Sequence, residues 1–286
     1  MQNDGIHSNQ TIMVDDISIN FTASILPDKK FTLLLIHGFG ASLQTWDDIY
    51  PLLNVEYSVI RIDLKGSGFS SKPIDNNYTM LDQALIVIKI IRQMGLQNIV
   101  LVGHSLGGGV ALLTYLESAA INSDLNVMGL ILIDSVGYPQ SLPFFVKLMR
   151  NPITRFLSYL IPPIYQVRFV LKKIYQVKER VTSERVKKYA FVLCLPGSRY
   201  ALHQTAKHIV PKNINQLISK YPTITAPTLI VWGENDGVIP IKSGRLFKQA
   251  IAGSQLFVLP NTGHVPHEER PTETLAVINQ FLKLLQ

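Results

Sequence analysis

Between Asn98 and Gly109 an apolar run of strand length, Ile99-Val-Leu-Val102, stops at Gly103; a serine follows at 105, and glycines at 107–109 lead into a helix-like segment. The pentapeptide Gly103-His-Ser-Leu-Gly107 has the G-x-S-x-G spacing of a nucleophile elbow, and the reason for the spacing is steric. A sharp turn from strand to helix lifts the serine hydroxyl clear of a sheet, and small residues on either side let the two backbones pass closely. The helix then starts beneath the hydroxyl, so its free N–H groups and positive dipole end face any anion that forms there. An ordinary glycine-rich turn would show the same five residues. The partners elsewhere in the chain therefore decide.

A chain of 286 residues, 47% of them hydrophobic, can build one large α/β domain or two small ones without a disulfide or metal staple. Its one cysteine, Cys194, is compatible with a reducing compartment. Met1 to Val14 is polar and mildly acidic, unlike a signal peptide, and no run approaches the ~20 apolar residues of a membrane span. The expectation is a soluble cytoplasmic protein. The net charge of +7 is unevenly divided: residues 137–222 hold 15 Lys and Arg against Glu179 and Glu184 alone, so the remainder is net acidic. An acidic body thus carries a strongly basic insert.

Thr11 to Ser24 alternates in places and reads as an edge hairpin or strands. Phe31–Ile36, Tyr57–Ile62, Ile99–Val102, Val127–Ile133, Thr228–Trp232 and Gln255–Leu259 are short apolar strands. Helical spacing lies between them at Leu43–Leu53, Met80–Met94, Val110–Ala120 and Lys242–Ile251, and Thr272–Leu285 closes the chain. This rhythm predicts an α/β fold with a mostly parallel central sheet and helices on both faces. It breaks from Tyr138 to Tyr221, where prolines accompany helical spacing over Phe144–Leu160 and Val167–Val177 and no buried-strand run occurs. The expected organisation is a core of residues 1–136 and 223–286 with a helical cap, residues 137–222.

Reactive groups in open parallel sheets gather at the carboxyl ends of strands. Ser105, Asp236 and His264 each follow such a strand, as does the loop His37-Gly-Phe-Gly40. A serine hydroxyl is a poor nucleophile until a base takes its proton, and a histidine held in one tautomer by a carboxylate is well suited to that task. Ser105 is assigned as nucleophile, His264 as general base and then acid, and Asp236 as the group that orients it. The backbone N–H groups of Leu106 and Phe39 are the expected oxyanion donors. Asp134, which also ends a strand, rivals Asp236. His267 rivals His264 but is expected in the following turn. Asp63, in Asp-x-x-Gly-x-Gly surroundings, reads as a loop-closing residue, and His37 and His104 as hydrogen-bonding loop residues. No residues have metal-ligand spacing and no glycine-rich loop would cradle a phosphate, so neither metal nor cofactor is expected.

Taken in order, His37-Gly-Phe-Gly40, Asp63-Leu-Lys-Gly-Ser-Gly-Phe-Ser70, Gly103-His-Ser-Leu-Gly-Gly108, Gly233-Glu-Asn-Asp236 and Gly263-His264 with Pro266 and Glu268 resemble the α/β-hydrolase superfamily over nearly the whole chain. The resemblance implies that fold with a serine triad. Within the superfamily, epoxide hydrolases and haloalkane dehalogenases use an aspartate where Ser105 stands. Carbon–carbon bond hydrolases of ring-fission products usually carry a Trp where Val265 stands, and perhydrolase-type members usually lack so long an insert. Carboxylesterases and monoacylglycerol-lipase-like enzymes match best. Their cap closes over an acyl chain, which would suit Phe144, Phe145, Leu148, Phe156, Leu157, Leu160 and Phe169, with Val265 beside the histidine.

The resemblance thus implies a hydrolase of apolar carboxylic esters, on medium-chain or monoacylglycerol-type substrates. Carbon–carbon bond hydrolysis and a ligand-binding receptor on the same fold stay open as alternatives. The basic cap could rest on an anionic membrane or be a solvated face covering an aliphatic pocket. Nucleic acid is not expected as a partner, because the aromatic residues look committed to apolar faces.

Overall fold

The computed structural model describes residues 9–121 and 125–286; residues 1–8 of the segment compared above with a signal peptide lie outside the described residues. β1 (Gln10–Val14) and β2 (Ile17–Ser24) form an antiparallel hairpin at one edge. There follow β3 (Thr32–Ile36), α1 (Tyr50–Glu56), β4 (Ser58–Ile62), α2 (Met80–Gln93), β5 (Asn98–His104), α3 (Leu106–Ala120) and β6 (Asn126–Ile133). A helical stretch comes next: α4 (Phe144–Arg150), α5 (Pro152–Ser158), α6 (Pro163–Ile174), α7 (Ser183–Cys194), α8 (Ser198–His208) and α9 (Ile214–Ser219). The chain ends with β7 (Thr228–Gly233), α10 (Ile241–Ala250), β8 (Gln255–Leu259), α11 (Pro266–Glu269) and α12 (Pro271–Lys283). The sheet order is β1-β2-β4-β3-β5-β6-β7-β8, parallel from β4 to β8. This is the α/β-hydrolase fold.

Alternation along the central strands explains why both faces must be covered. Leu34, Ile36, Leu101, Leu132 and Trp232 point into the core beneath α2, α3 and α10. Their neighbours Leu33, Leu35, Val102, Ile133 and Val231 point into the opposite core, closed by α1 and α12. Each such side chain contributes about 1.5–3 kcal/mol when taken out of water. Trp232 adds one polar link, its indole N–H donating to the Ile239 carbonyl at 3.0 Å.

α6, Pro163–Ile174, starts and ends earlier than the expected Val167–Val177, and three further helices differ from their sequence expectation, each for a local reason. Leu43–Leu53 is not one helix but a 3-10 turn over Leu43–Trp46, started by the Ser42 hydroxyl, and then α1, which begins next to Pro51. Proline has no N–H to donate, so it suits a first turn and not an interior. Phe144–Leu160 is divided at Asn151, whose side chain accepts from the N–H groups of Ile153 and Thr154 and so starts α5 at Pro152. α3 begins at Leu106, earlier than the expected Val110, because the glycines are themselves helical. They allow close approach: a Cβ on Gly107 would stand 2.2 Å from the Ile36 carbonyl oxygen.

Candidate active site

Parallel strands carry the predicted triad and oxyanion residues to the carboxyl ends of the sheet. Ser105 joins β5 to α3 at φ 52° and ψ −117°, a conformation that costs a non-glycine residue about 1–3 kcal/mol. The turn is held at both ends, the Ser105 N–H donating to the Ile133 carbonyl (2.9 Å) and the Gly108 N–H to the Ser105 carbonyl (3.0 Å). Asp236 lies in the loop after β7 and His264 in the loop after β8. These loops press together where a Cβ on Gly233 would lie 1.9 Å from the Gly263 carbonyl oxygen, so only glycine fits there.

The three side chains form one hydrogen-bonded line. His264 Nδ1 lies 2.8 Å from Asp236 Oδ2, and His264 Nε2 lies 3.0 Å from Ser105 Oγ. The carboxylate can only accept, so it fixes the imidazole proton on Nδ1 and leaves Nε2 to receive the serine proton. Asp236 Oδ1 accepts from the N–H groups of Val238 (2.7 Å) and Ile239 (3.1 Å), which orients the carboxylate. All three residues are buried. Leu106 is the first residue of α3, so its N–H has no intrahelical acceptor. Phe39, in the loop after β3, lines the same cavity as Ser105.

The rival residues occupy other roles. Asp134 Oδ1 accepts from the Gly233 N–H at 2.9 Å. A carboxyl oxygen of Asp134, one of Asp236 and a ring nitrogen of His264 lie within 4.8 Å of one another. Complete burial and the neighbouring Asp236 hold the Asp134 carboxyl well above the usual carboxylate range. His267 lies in α11, and burial beside Arg185 and His264 lowers it to about 3. His37 accepts from the Leu64 N–H at Nε2 (3.0 Å) and therefore donates from Nδ1 to the Gly38 carbonyl (2.8 Å), pinning the Phe39 loop. His104 Nε2 donates to the His264 carbonyl at 2.7 Å. Asp63 closes its loop by accepting from Leu43 N (2.7 Å), Phe69 N (2.9 Å) and Asn20 Nδ2 (2.7 Å).

Ser105 stands between two apolar cavities. One, of about 130 Å³, is lined by Phe145, Met149, Val170, Leu171, Leu202 and Val265. The other, of about 150 Å³, runs past Tyr138, Leu142, Val146, Ile209 and Val238. Phe39 and Phe145, their rings stacked 6.1 Å apart, line both. Of the four proposed substrate contacts, Phe145 and Val265 thus reach the serine cavity. Phe144 and Leu148 do not; they line an outer groove of about 380 Å³ between α4, α5 and α6. Phe156 and Leu160 line neither cavity nor groove and stand exposed, a correction to the acyl-chain expectation.

One cluster escaped the sequence reading. Glu268, four residues past His264 and buried, accepts from Thr45 of the core and from Tyr175, Arg185 and Tyr189 of the helical stretch, Tyr189 at 2.5 Å. Glu269 Oε2 accepts from Gln176 N (2.7 Å) and Val177 N (2.8 Å), and the His264 N–H donates to the Ile174 carbonyl at 2.9 Å. Val265 packs with Val167, Leu171, Tyr175, Val186 and Ala190. The loop bearing the histidine is therefore bonded to α6, α7 and the link between them. Paired acids just past His264 were the only sequence signal, and their partners lie about 80–90 residues away in the helical stretch and 223 away in the core.

Residues 32–271 match the model of the alpha/beta hydrolase fold family, so the chain belongs to that family. Its enzymes include ester, epoxide and carbon–carbon bond hydrolases, and the match alone does not distinguish them. The chain is 28% identical to the uncharacterized hydrolase YugF of Bacillus subtilis, with 94% of this chain and 96% of that one covered. It is 25% identical to monoacylglycerol lipase abhd6-A of Xenopus laevis, covering 93% and 79%. Among solved structures, the epoxide hydrolase CorEH superposes with a TM-score of 0.81 at 21% identity over 98% of this chain and 99% of that one, a likeness of fold.

Proposed function

We propose that this protein is a serine carboxylester hydrolase acting on apolar, medium-chain or monoacylglycerol-type esters. The observation that carries the reading is the line Asp236–His264–Ser105 ending between two apolar cavities. Similarity to a monoacylglycerol lipase supports it. Ser105, where epoxide chemistry on this fold needs a carboxylate, argues for an acyl-enzyme.

An ester carbonyl placed at Ser105 has one cavity for its acyl chain and the other for its alcohol. The Ser105 oxygen attacks as its proton passes to His264 Nε2, and Asp236 stabilises the imidazolium. The N–H groups of Leu106 and Phe39 receive the negative oxygen, a contribution of about 3–4 kcal/mol per donor in such sites. His264 then returns the proton to the departing alcohol, and the acyl group stays on Ser105. Water deprotonated by the same histidine attacks that ester and frees the acid.

The test is the initial hydrolysis rate on p-nitrophenyl esters from acetate to palmitate, for wild type and Ser105→Ala. Turnover with a chain-length optimum that disappears in the variant is the expected result. A folded protein with no turnover on any ester would sink the reading.

A further inference from the structure

Among the described residues, ten of the 23 exposed large hydrophobic side chains fall between Phe144 and Phe169, fewer than a tenth of the chain. α5 is the extreme case. It has no buried residue, yet three of its seven are Ile153, Phe156 and Leu157, exposed by 71%, 68% and 50%. Leu160 follows at 73%, and Tyr165 and Phe169 of α6 at 65% and 53%. An isolated helix of this length is not stable in water, and contiguous exposed apolar surface marks a contact site.

The charge around this face selects the occupant. From Ser135 to Lys178 the chain has no acidic residue, while Lys147, Arg150, Lys172 and Lys173 are exposed on α4 and α6. Lys173 lies 5.8 Å over the Phe169 ring, so cation and apolar surface share one patch. Apolar side chains ringed by cations match the boundary between acyl chains and anionic headgroups. A second copy would bring the same positive charge against it. The groove on this face is also continuous with the serine cavity: Phe145, Met149, Gln166 and Val170 line both. A protein seated there would cork the way to Ser105, whereas a bilayer would supply it with lipid esters.

We infer that the α4–α5–α6 face docks on an anionic phospholipid bilayer, with α5 and Leu160 entering the headgroup boundary and the groove receiving esters from the membrane. Delivery of substrate rests on the ester-hydrolase reading; docking does not.

The experiment is co-sedimentation of the full chain with phosphatidylcholine vesicles, with and without 30% phosphatidylglycerol. It is paired with rates on p-nitrophenyl acetate in solution and on a long-chain monoacylglycerol embedded in the same vesicles. The expected result is at least tenfold tighter binding to the anionic vesicles, weakened by salt. The variant Ile153→Ser/Phe156→Ser/Leu160→Ser should lose that binding at least tenfold and the vesicle rate with it. It should keep its melting temperature and its acetate rate within twofold, since none of the three residues lines a cavity. Lys172→Glu/Lys173→Glu should lose the preference for anionic vesicles.

Wild type that stays in the supernatant with both vesicle types would overturn the docking, as would binding unchanged in the triple serine variant. A dimer in solution that dissociates in that variant would also overturn it by assigning the face to a second copy. Docking without turnover on either ester would overturn the hydrolase reading alone, and turnover without docking would overturn this inference alone.

Discussion

Asp134 and Asp236 end neighbouring strands and bring their carboxyl groups together beside His264, but Asp236 alone is hydrogen-bonded to the imidazole, at 2.8 Å. The backbone explains the division. Asp236 receives two N–H groups from its own loop, while Asp134 receives one, from Gly233, and burial and its neighbour push its carboxyl well above the usual carboxylate range.

The two acids should therefore respond differently to the same substitution. Asp236→Asn leaves the imidazole without its carboxylate and is expected to lower kcat by about 10⁴-fold. Asp134→Asn alters a carboxyl that makes no hydrogen bond to the imidazole, so kcat/KM at pH 7 should stay within a few fold. Steady-state rates on one p-nitrophenyl ester distinguish the two. Equal losses would mean that the acids act as a pair.

Acid should destabilise the fold through its buried histidines. Burial lowers His37, His104 and His267 in the folded chain, His267 to about 3, whereas the unfolded chain takes up these protons near 6.5. Below pH 6.5 the unfolded state binds more protons, so stability falls as pH falls, by about 1.4 kcal/mol per pH unit for each histidine until its folded value is reached. Asp134 runs the other way. Its raised folded pKa means that the native state keeps a proton the unfolded chain releases above about 4, so this contribution declines as pH rises. Urea midpoints from pH 4.5 to 8 should drop below pH 6.5, less steeply in His267→Gln. Asp134→Asn should gain most at the alkaline end.

Glu268 joins the core to α6 and α7 through Arg185, Tyr175 and Tyr189. Removing one member of a buried ion pair leaves the other uncompensated: Arg185→Met strands the buried Glu268 and is expected to lose about 3–5 kcal/mol, and Glu268→Gln less, because the Arg185 left behind is partly exposed and still pairs with Asp48. The double variant should lose less than the sum. Chemical denaturation of the four proteins checks this, and strict additivity would refute the coupling.

Gly107 permits α3 to start against β3. Gly107→Ala would set a methyl 2.2 Å from the Ile36 oxygen, a backbone atom that cannot turn aside. A loss of at least about 3 kcal/mol is expected, seen as a lower melting temperature together with loss of whatever turnover of p-nitrophenyl esters the wild type shows, because Ser105 rides on the same turn.

Much of the architecture was legible because it rests on short-range rules. Apolar runs of strand length between helical segments implied a parallel sheet covered on both faces, and the observed β3 to β8 follow that rhythm. The order of Ser105, Asp236 and His264 at strand ends followed from the same periodicity. Helix limits were less legible: Pro51 and Asn151 divide segments whose hydrophobic spacing continues across the break, since spacing reports the buried face and not where hydrogen bonding stops.

What the sequence determined by itself was therefore the local chemistry: a strained elbow that only small neighbours permit, strand ends bearing reactive groups, and a basic insert whose only acids are Glu179 and Glu184. Tertiary structure alone decided which carboxyl meets His264, which loop Glu268 anchors, and which apolar residues of α4 to α6 face a cavity or solvent. Those outcomes depend on distances between residues far apart in the chain. The same Asp, Glu or Phe carries no local signal of the neighbour that packing brings to it.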